Sequence, residues 1–311
     1  MRYSKALLIN ISEGSLDKKY WDKLAQLAEQ VTHIPKDDPS TTQQLADTDC
    51  LLVGFGVVVS QEMIDAAPKL KYIGVQATAY DKIDIDYAKE KDIPVCNLAG
   101  YSTESVAEFV IAALLETIRG LEEGKQRGRS GNYSEDGINA REIKDSAFGV
   151  IGLGNIGTRV AELANGFGAN VSYWSRSEKD VTFKQQDLDE LIAGSEFLSL
   201  NPALTPDTEH ILNAERINSL KANAVVINTC PMELVDIDAL AERLGKGDIT
   251  FILDHSDEMS KEDIAKLSPH KNCILYPPIG YITTGARRNK GEIFTGNIAA
   301  ALEGEPENKV N

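Results

Sequence analysis

The run Gly152-Leu153-Gly154-Asn155-Ile156-Gly157 has the spacing of a turn built to hold a phosphate. It directly follows a short apolar stretch, Phe148-Gly149-Val150-Ile151, that reads as a buried strand, and it opens a helical pattern over 158–167. In that setting each glycine has its own job. The first permits a tight turn, the second lets the backbone approach a pyrophosphate, and the third lets helix and strand pack closely. Free N–H groups at the helix start, reinforced by the positive end of the helix dipole, attract the anion. A motif of this kind in isolation is weak evidence; placed between a strand and a helix it predicts a dinucleotide site, and with it hydride chemistry.

The end of the next strand selects the dinucleotide. In NAD sites an acidic side chain about 20 residues past the glycines takes the ribose hydroxyls. Here Ser175 stands 18 residues after Gly157 and is followed by Arg176 and Ser177. Serine removes the repulsion that a carboxylate would exert on a 2′-phosphate. Arg176 offers that phosphate a forked, charge-assisted contact, and Ser177 adds a donor. A plain surface arginine is the bland alternative. The expectation is NADP(H) in preference to NAD(H).

Such a site needs a twisted parallel sheet to carry it, and short apolar runs alternate with amphipathic stretches along the whole chain. Strands are expected at 6–11, 50–54, 71–75 and 94–96, with helices at 20–30 and 61–66. A long helix over 105–119 is marked at its start by Ser102-Thr103-Glu104-Ser105 and at its end by Gly120. The segment 122–142, rich in Gly, Arg, Lys and Ser, reads as an exposed arm. A second series follows, with strands at 148–151, 170–173, 197–200, 224–227, 250–253 and 273–276 and a closing helix over 287–302. The fold class is therefore α/β, with two doubly wound parallel-sheet domains meeting near residue 100.

The bulk numbers agree with this. A chain of 311 residues is long enough for two cores, and 42% hydrophobic with 26% charged residues is an ordinary globular composition. A net charge of −16 argues against nucleic acid and anionic membrane surfaces as partners. Cys50, Cys96, Cys230 and Cys273 show no CxxC pairing and no metal-site spacing, so no metal is expected, and scattered thiols suit a reducing compartment. The first residues show no signal-peptide cleavage pattern, and no apolar run approaches the roughly 20 residues that span a bilayer. A cytoplasmic location is the expectation.

Beyond the glycine motif, the chain resembles the D-isomer-specific 2-hydroxyacid dehydrogenases, the group with the glyoxylate and hydroxypyruvate reductases, over nearly its whole length. The residues that carry the resemblance are Ile73 to Asp84, Asn97 to Glu108, Leu200-Asn201-Pro202-Ala203-Leu204-Thr205, and the ending from Asn297 through Ala300-Ala301-Leu302-Glu303-Gly304-Glu305-Pro306 to Val310-Asn311. The resemblance implies a Rossmann NADP-binding domain, 99–286, inserted in a flavodoxin-like substrate domain made of 1–98 and 287–311. It implies that the backbone of Ala77, Thr78 and Ala79 holds a substrate carboxylate. It also implies cofactor contacts from Thr103, Gly152, Gly154, Asn155, Ile156 and Gly157, from Asn201, Pro202, Thr205, Thr229 and Cys230, and from Asp254. The family more often has histidine where Asn201 stands. A homodimer formed through the long helix and the arm is a further implication.

The family works with an arginine that clamps the carboxylate, a histidine that passes the proton, and a glutamate that orients the histidine. The segment Ile227-Asn228-Thr229-Cys230-Pro231-Met232-Glu233-Leu234-Val235-Asp236 puts Pro231 in the arginine's place. Five residues beyond Asp254, where the glutamate belongs, stands Met259; in Ile274-Leu275-Tyr276-Pro277-Pro278-Ile279-Gly280 the histidine's place holds Pro278. Proline has no donor and no titratable group, and methionine offers a thioether. The family's acid–base apparatus is absent as the family builds it.

Substitutes are few. His255 follows Asp254 at a strand end, though alternation along a strand points it away from Asp254. Glu258 lies one residue from the expected glutamate. Tyr80, Tyr101 and Tyr281 come from segments that converge on the family's cleft, where a phenol can donate a proton or simply shape a pocket. His210 reads as structural, His270 as solvated, and His33 has no evident partner. Two readings follow. One is an NADP(H)-dependent oxidoreductase acting on a small carbonyl or hydroxy compound by non-standard residues. The other is a catalytically inactive NADP(H)-binding pseudoenzyme acting as a sensor or interaction protein, with a small-molecule effector.

Overall fold

Residue alternation and strand-end glycines shape two separate parallel sheets in the computed structural model, which describes residues 1–311. The chain divides into two compact units, Met1–Ser102 with Thr283–Asn311, and Thr103–Ile282.

The first unit holds β1 (Tyr3–Ile9), α1 (Lys18–Leu27), β2 (Ala28–Ile34), α2 (Thr41–Leu45), β3 (Cys50–Val53), α3 (Gln61–Asp65), β4 (Tyr72–Val75), α4 (Ile85–Glu90) and β5 (Val95–Cys96). Its sheet runs β2-β1-β3-β4-β5, and every pair is parallel. Strands buried on both faces read as near-continuous apolar runs, as Ala-Leu-Leu-Ile in β1 and Cys-Leu-Leu-Val in β3 do. Core residues lie on both faces: Leu7, Leu51 and Ile73 on one, Leu8, Leu52 and Tyr72 on the other. The C-terminal helix Thr284–Leu302 covers the second face through Phe294 and Ile298. Gly291 is required there, because an added Cβ would lie 2.2 Å from the Tyr20 ring.

The expected helix 20–30 stops at Leu27, and the chain passes straight into β2. This strand pairs only with β1, and past Ala28 its residues are exposed or partly buried. As an edge strand it needs no apolar run, so it carries no strong signal.

The second unit begins with α5 (Thr103–Ile118) and α6 (Leu121–Ser130). It continues with β6 (Ala147–Ile151), α7 (Asn155–Gly166), β7 (Asn170–Trp174), β8 (Lys184–Gln185), α8 (Leu188–Gly194) and β9 (Phe197–Leu200). It ends with α9 (Ala214–Ser219), β10 (Ala224–Asn228), α10 (Ile237–Gly245), β11 (Ile249–Leu253), α11 (Lys261–Leu267) and β12 (Cys273–Leu275). The order β12-β11-β10-β9-β6-β7-β8 reverses direction at β6, the topological switch point beside which α/β sheets bind ligands. The segment expected as an exposed arm contains the ten-residue helix α6, bounded by left-handed Gly120 and Gly131 and exposed along most of its length. Arg127 ties its end to the following loop by donating to the carbonyls of Ser134 and Asp136.

No helix is long and apolar enough to cross a membrane. All four cysteines are free, and no group of three His, Cys, Asp or Glu side chains is placed to hold a metal ion.

Candidate functional site

The glycine turn sits where β6 gives way to α7. Gly152 has φ +87°, and a Cβ there would meet the Pro202 nitrogen at 2.6 Å and the Asn201 carbonyl carbon at 2.7 Å. Gly154 is the N-cap of α7 with open space around it, so only an incoming ligand restricts its size. At Gly157 a Cβ would lie 2.0 Å from the Gly152 carbonyl oxygen. Helix α7 starts at Asn155, three residues before the expected 158, which puts its free N–H groups inside the motif itself.

Around this turn the other expected contacts gather on neighbouring strand ends. Pro202 is buried against Gly152, and Asn201 donates to the Ser199 hydroxyl at 3.0 Å while its buried Oδ1 has no partner. That acceptor suits a ligand hydroxyl or amide. Thr205 pairs with Thr208 in the loop that follows. Past β10, Thr229 and Cys230 are half-buried, and the Cys230 amide donates to Asn228 Oδ1 at 2.9 Å. Burial pushes the Cys230 thiol up to about 12, so it serves as a packing residue and not as a nucleophile. Beyond β7, buried Ser175 closes a turn by donating to the Ser177 carbonyl, while Arg176 and Ser177 are exposed and the guanidinium has no protein partner. The residues present therefore fit a dinucleotide: a turn in which Gly152 and Gly157 leave no room for a Cβ, an orphaned acceptor at Asn201 and a free cation beyond β7.

The strand-end acid Asp254 is 1% exposed, and its two oxygens accept from the amides of Ile279 and Gly280 at 3.0 and 3.1 Å. It thus fixes the turn that carries Pro278 and Tyr281. His255 does not point away, as strand alternation suggested. Its φ of +70° takes it out of the strand, and the ring turns back so that Nε2 is 3.5 Å from Asp254 Oδ2. On the other side Nδ1 lies 3.5 Å from Glu258 Oε1, within the 3-10 turn Ser256–Glu258, and Tyr281 stacks on the ring at 5.7 Å. Hydrogen bonding to Glu258 raises the imidazole above its ordinary 6.5, helped by the charges of Asp254, Glu258 and Asp257 and opposed by partial burial. Burial and the same three acids push the Tyr281 phenol up. A carboxylate-flanked imidazole therefore stands in one loop, a group that strand periodicity alone could not reveal.

Pro231, Met259 and Pro278 are packing and turn residues. Pro231, at φ −53°, caps the 3-10 turn Met232–Leu234. Met259 packs against the core shared with Cys230 and Trp174, and Pro278 is half-buried.

Thr103 opens α5 in the second unit. In the first unit the loop after β4 has its carbonyls tied down: Ala77 accepts from the Leu98 amide at 3.0 Å and Thr78 from the Asn97 side chain at 2.7 Å. The amides of Ala77, Thr78 and Ala79 make no backbone hydrogen bond within the chain. Tyr80 is exposed, and Tyr101 packs against the core cluster on the second face of the first sheet. His33 meets the Ile11 carbonyl at 3.4 Å and the Trp21 ring at 5.3 Å. His210 is exposed with φ +50°, its amide donating to the Glu233 carbonyl, and His270 is half-buried beside Gly245 where solvation was expected.

Residues 111–280 match the D-isomer specific 2-hydroxyacid dehydrogenase NAD binding domain. A glyoxylate reductase of Thermococcus litoralis is 33% identical over 285 residues, covering 86% of this chain and 85% of that one. The chain belongs to the D-isomer-specific 2-hydroxyacid dehydrogenase family. Its members are nicotinamide-dependent oxidoreductases acting on CH–OH groups. Two solved structures of the same fold are each 28% identical to this chain. One, an acyclic imino acid reductase in complex with NADPH and D-Arg, has a TM-score of 0.87, with 99% of this chain and 100% of that one covered. The other, the D-lactate dehydrogenase of Aquifex aeolicus with NAD and lactic acid, has a TM-score of 0.83 and covers 96% of both chains.

Proposed function

We propose that this 2-hydroxyacid dehydrogenase family member is an NADP(H)-dependent oxidoreductase acting on a small carbonyl or hydroxy compound through residues other than the family's arginine, glutamate and histidine. One observation carries this reading: an imidazole flanked by Asp254 and Glu258 stands at the carboxyl end of β11, in the same parallel sheet whose β6 end carries the glycine cradle. When bound, the cofactor supplies the hydride. His255 holds a proton at Nε2 or Nδ1, Glu258 keeps it there, and Asp254 fixes the turn that carries Tyr281. The backbone amides of Ala77, Thr78 and Ala79 are the proposed anchor for a substrate carboxylate, in a substrate domain of 1–98 and 287–311.

Preference for NADP(H) rests on Arg176, an unpaired cation in a chain of net charge −16, next to a position that lacks a carboxylate. Charge-assisted hydrogen bonds contribute about 1.5–3 kcal/mol each. Arg176→Ala should therefore weaken NADPH about 10- to 100-fold and leave NADH nearly unchanged, read by fluorescence titration of both cofactors. Equal losses for the two would remove the basis for the preference.

A second reading of the substrate, C=N in place of C=O, is favoured by charge. Asp254, Asp257 and Glu258 surround His255, and no arginine stands within 227–236. A protonated imine carries positive charge and arrives with its proton in place, so it needs no acid from the protein. The relative solved with NADPH is itself an imino acid reductase.

NADPH consumption with 2-oxoacids, aldehydes and ketones, each alone and with ammonia or methylamine, tests these readings. Turnover with the bare carbonyls supports the first, and turnover only with amine present the second. Tight NADPH binding with no turnover at all would overturn both and leave a binding protein. We further infer a cytoplasmic homodimer. Leu121, Tyr133 and Ile138 of the α6 segment are exposed apolar side chains that a second copy would cover, and sedimentation velocity showing a monomer would refute this.

A further inference from the structure

The carboxyl ends of β1, β2, β3 and β4 enclose an open cavity of about 700 Å³ within the first unit. The sheet order reverses between β1 and β3, so the cavity lies at this sheet's own switch point, where α/β sheets receive ligands. Two backbone features shape it. Asn10 leaves β1 at φ +58°, and Gly54 leaves β3 so close to it that a Cβ would lie 2.1 Å from the Asn10 carbonyl oxygen. Asn10 then bridges the two strand ends by donating to the Phe55 carbonyl at 3.2 Å.

Lys290, on the C-terminal helix, lines this cavity together with Ser12, Ser15, His33 and Gln76. No Asp or Glu does, although acids outnumber bases by 48 to 32 in the chain. The Lys290 ammonium makes no hydrogen bond or ion pair with the protein, whereas its neighbour Arg287 is paired with Asp17 at 2.6 Å. Burial lowers the Lys290 ammonium from its ordinary 10.5, with the Arg287 charge adding to the effect. A desolvated, unpaired cation is unfavourable in the free protein and is relieved by an anion. Gln76 donates to the Ser15 hydroxyl at 3.2 Å, which leaves that hydroxyl's own proton available. The remaining wall is apolar, formed by Ile11, Ile34, Pro35 and Phe55. The volume is within the roughly 300–1,000 Å³ of small-molecule sites.

We propose that this cavity binds a small organic carboxylate, with its anionic head on Lys290 and the serine hydroxyls and its apolar body against Phe55 and Ile34. None of Ala77, Thr78 and Ala79 lines the cavity. Gln76 nevertheless joins it to that loop, so an occupant bears on the loop's position.

Calorimetric titration of the full-length protein with 4-methylvalerate, its neutral amide and inorganic phosphate tests the proposal. The carboxylate should bind saturably and at least about tenfold more tightly than either the amide or phosphate, as one charge-assisted contact implies. Lys290→Met should abolish that preference while leaving NADPH affinity unchanged and thermal stability equal or higher, since an unpaired, half-buried charge is removed. Lys290→Gln provides the same comparison if the methionine variant misfolds. Absence of carboxylate binding at millimolar concentration, equal affinity for the amide or phosphate, or a preference that survives both substitutions would each overturn the proposal.

Discussion

Gly157→Ala should weaken NADPH binding by at least about a hundredfold and lower the stability of the free protein as well. The added methyl would lie 2.0 Å from the Gly152 carbonyl oxygen and 3.3 Å from Val150. The first partner is backbone, so no rotamer change relieves the clash, and the start of α7 must move off β6. Overpacking of this kind costs about 1–3 kcal/mol of stability. The same movement takes the helix N–H groups away from the pyrophosphate. Losing two charge-assisted hydrogen bonds at about 1.5 kcal/mol each already exceeds a hundredfold in affinity. Gly154→Ala makes the contrast. Nothing lies within 4 Å of its Cβ position and its φ is −85°, so free-protein stability should hold while NADPH affinity still falls. Thermal melts of the free variants and NADPH titrations separate the two effects. If Gly157→Ala bound NADPH as tightly as the native protein, the cradle would not be the cofactor site.

The parts of this fold that are legible in the sequence are those where burial forces a pattern. Strands β3, β6, β9 and β10 are buried on both faces and are flanked by glycine or polar turns, so their apolar runs stand out. Strands β2 and β8 escape notice because each has a single neighbour and mostly exposed or half-exposed residues. Helix α6 escapes because it buries nothing and its composition, with Gly124 and Gly128, is that of a loop. It is held by its end contacts, such as Arg127 to Glu123 and to the Ser134 carbonyl, and not by a buried face.

In the site, the glycines are legible because their requirement is steric and local. The surroundings of His255 are not, because they depend on one dihedral. A left-handed residue after a strand end reverses the alternation that strand periodicity assumes, and only Gly, Asn, Asp and His take that conformation at all commonly. Histidine directly after a strand-end aspartate was therefore a usable signal. Proline at 231 and 278 is legible as a side chain without a donor or a titratable group, but its structural role is not: Pro231 fits because the residue that caps the 3-10 turn Met232–Leu234 has φ −53°, close to the value its ring imposes.

His255→Gln should lower the rate with a carbonyl substrate by about 10²- to 10⁴-fold, the range for removing a positioned proton donor. The pH dependence gives a sharper test than the rate. The imidazole's pKa lies above 6.5, held up first by Glu258 and then by the charges of Asp254 and Asp257. As a proton donor it is active when protonated, so kcat/KM should be level in acid and fall as pH rises through that raised pKa. In His255→Gln this limb should vanish. In Glu258→Gln it should move to lower pH with little change in the plateau, because the largest upward influence is gone, which marks Glu258 as a positioning residue. Stability follows the same sign. A raised folded-state pKa stabilises fully below about 6.5 and the contribution is lost as pH rises through the folded value, so native and His255→Gln proteins should converge in melting temperature in alkali. A C=N substrate gives the opposite kinetic pattern. It brings its own proton, so its alkaline limb belongs to the substrate and should persist in His255→Gln with only a modest loss of rate. An unchanged rate and an unchanged limb with a carbonyl substrate would exclude His255 as the donor and leave Tyr281, stacked on the same ring, as the next group to replace.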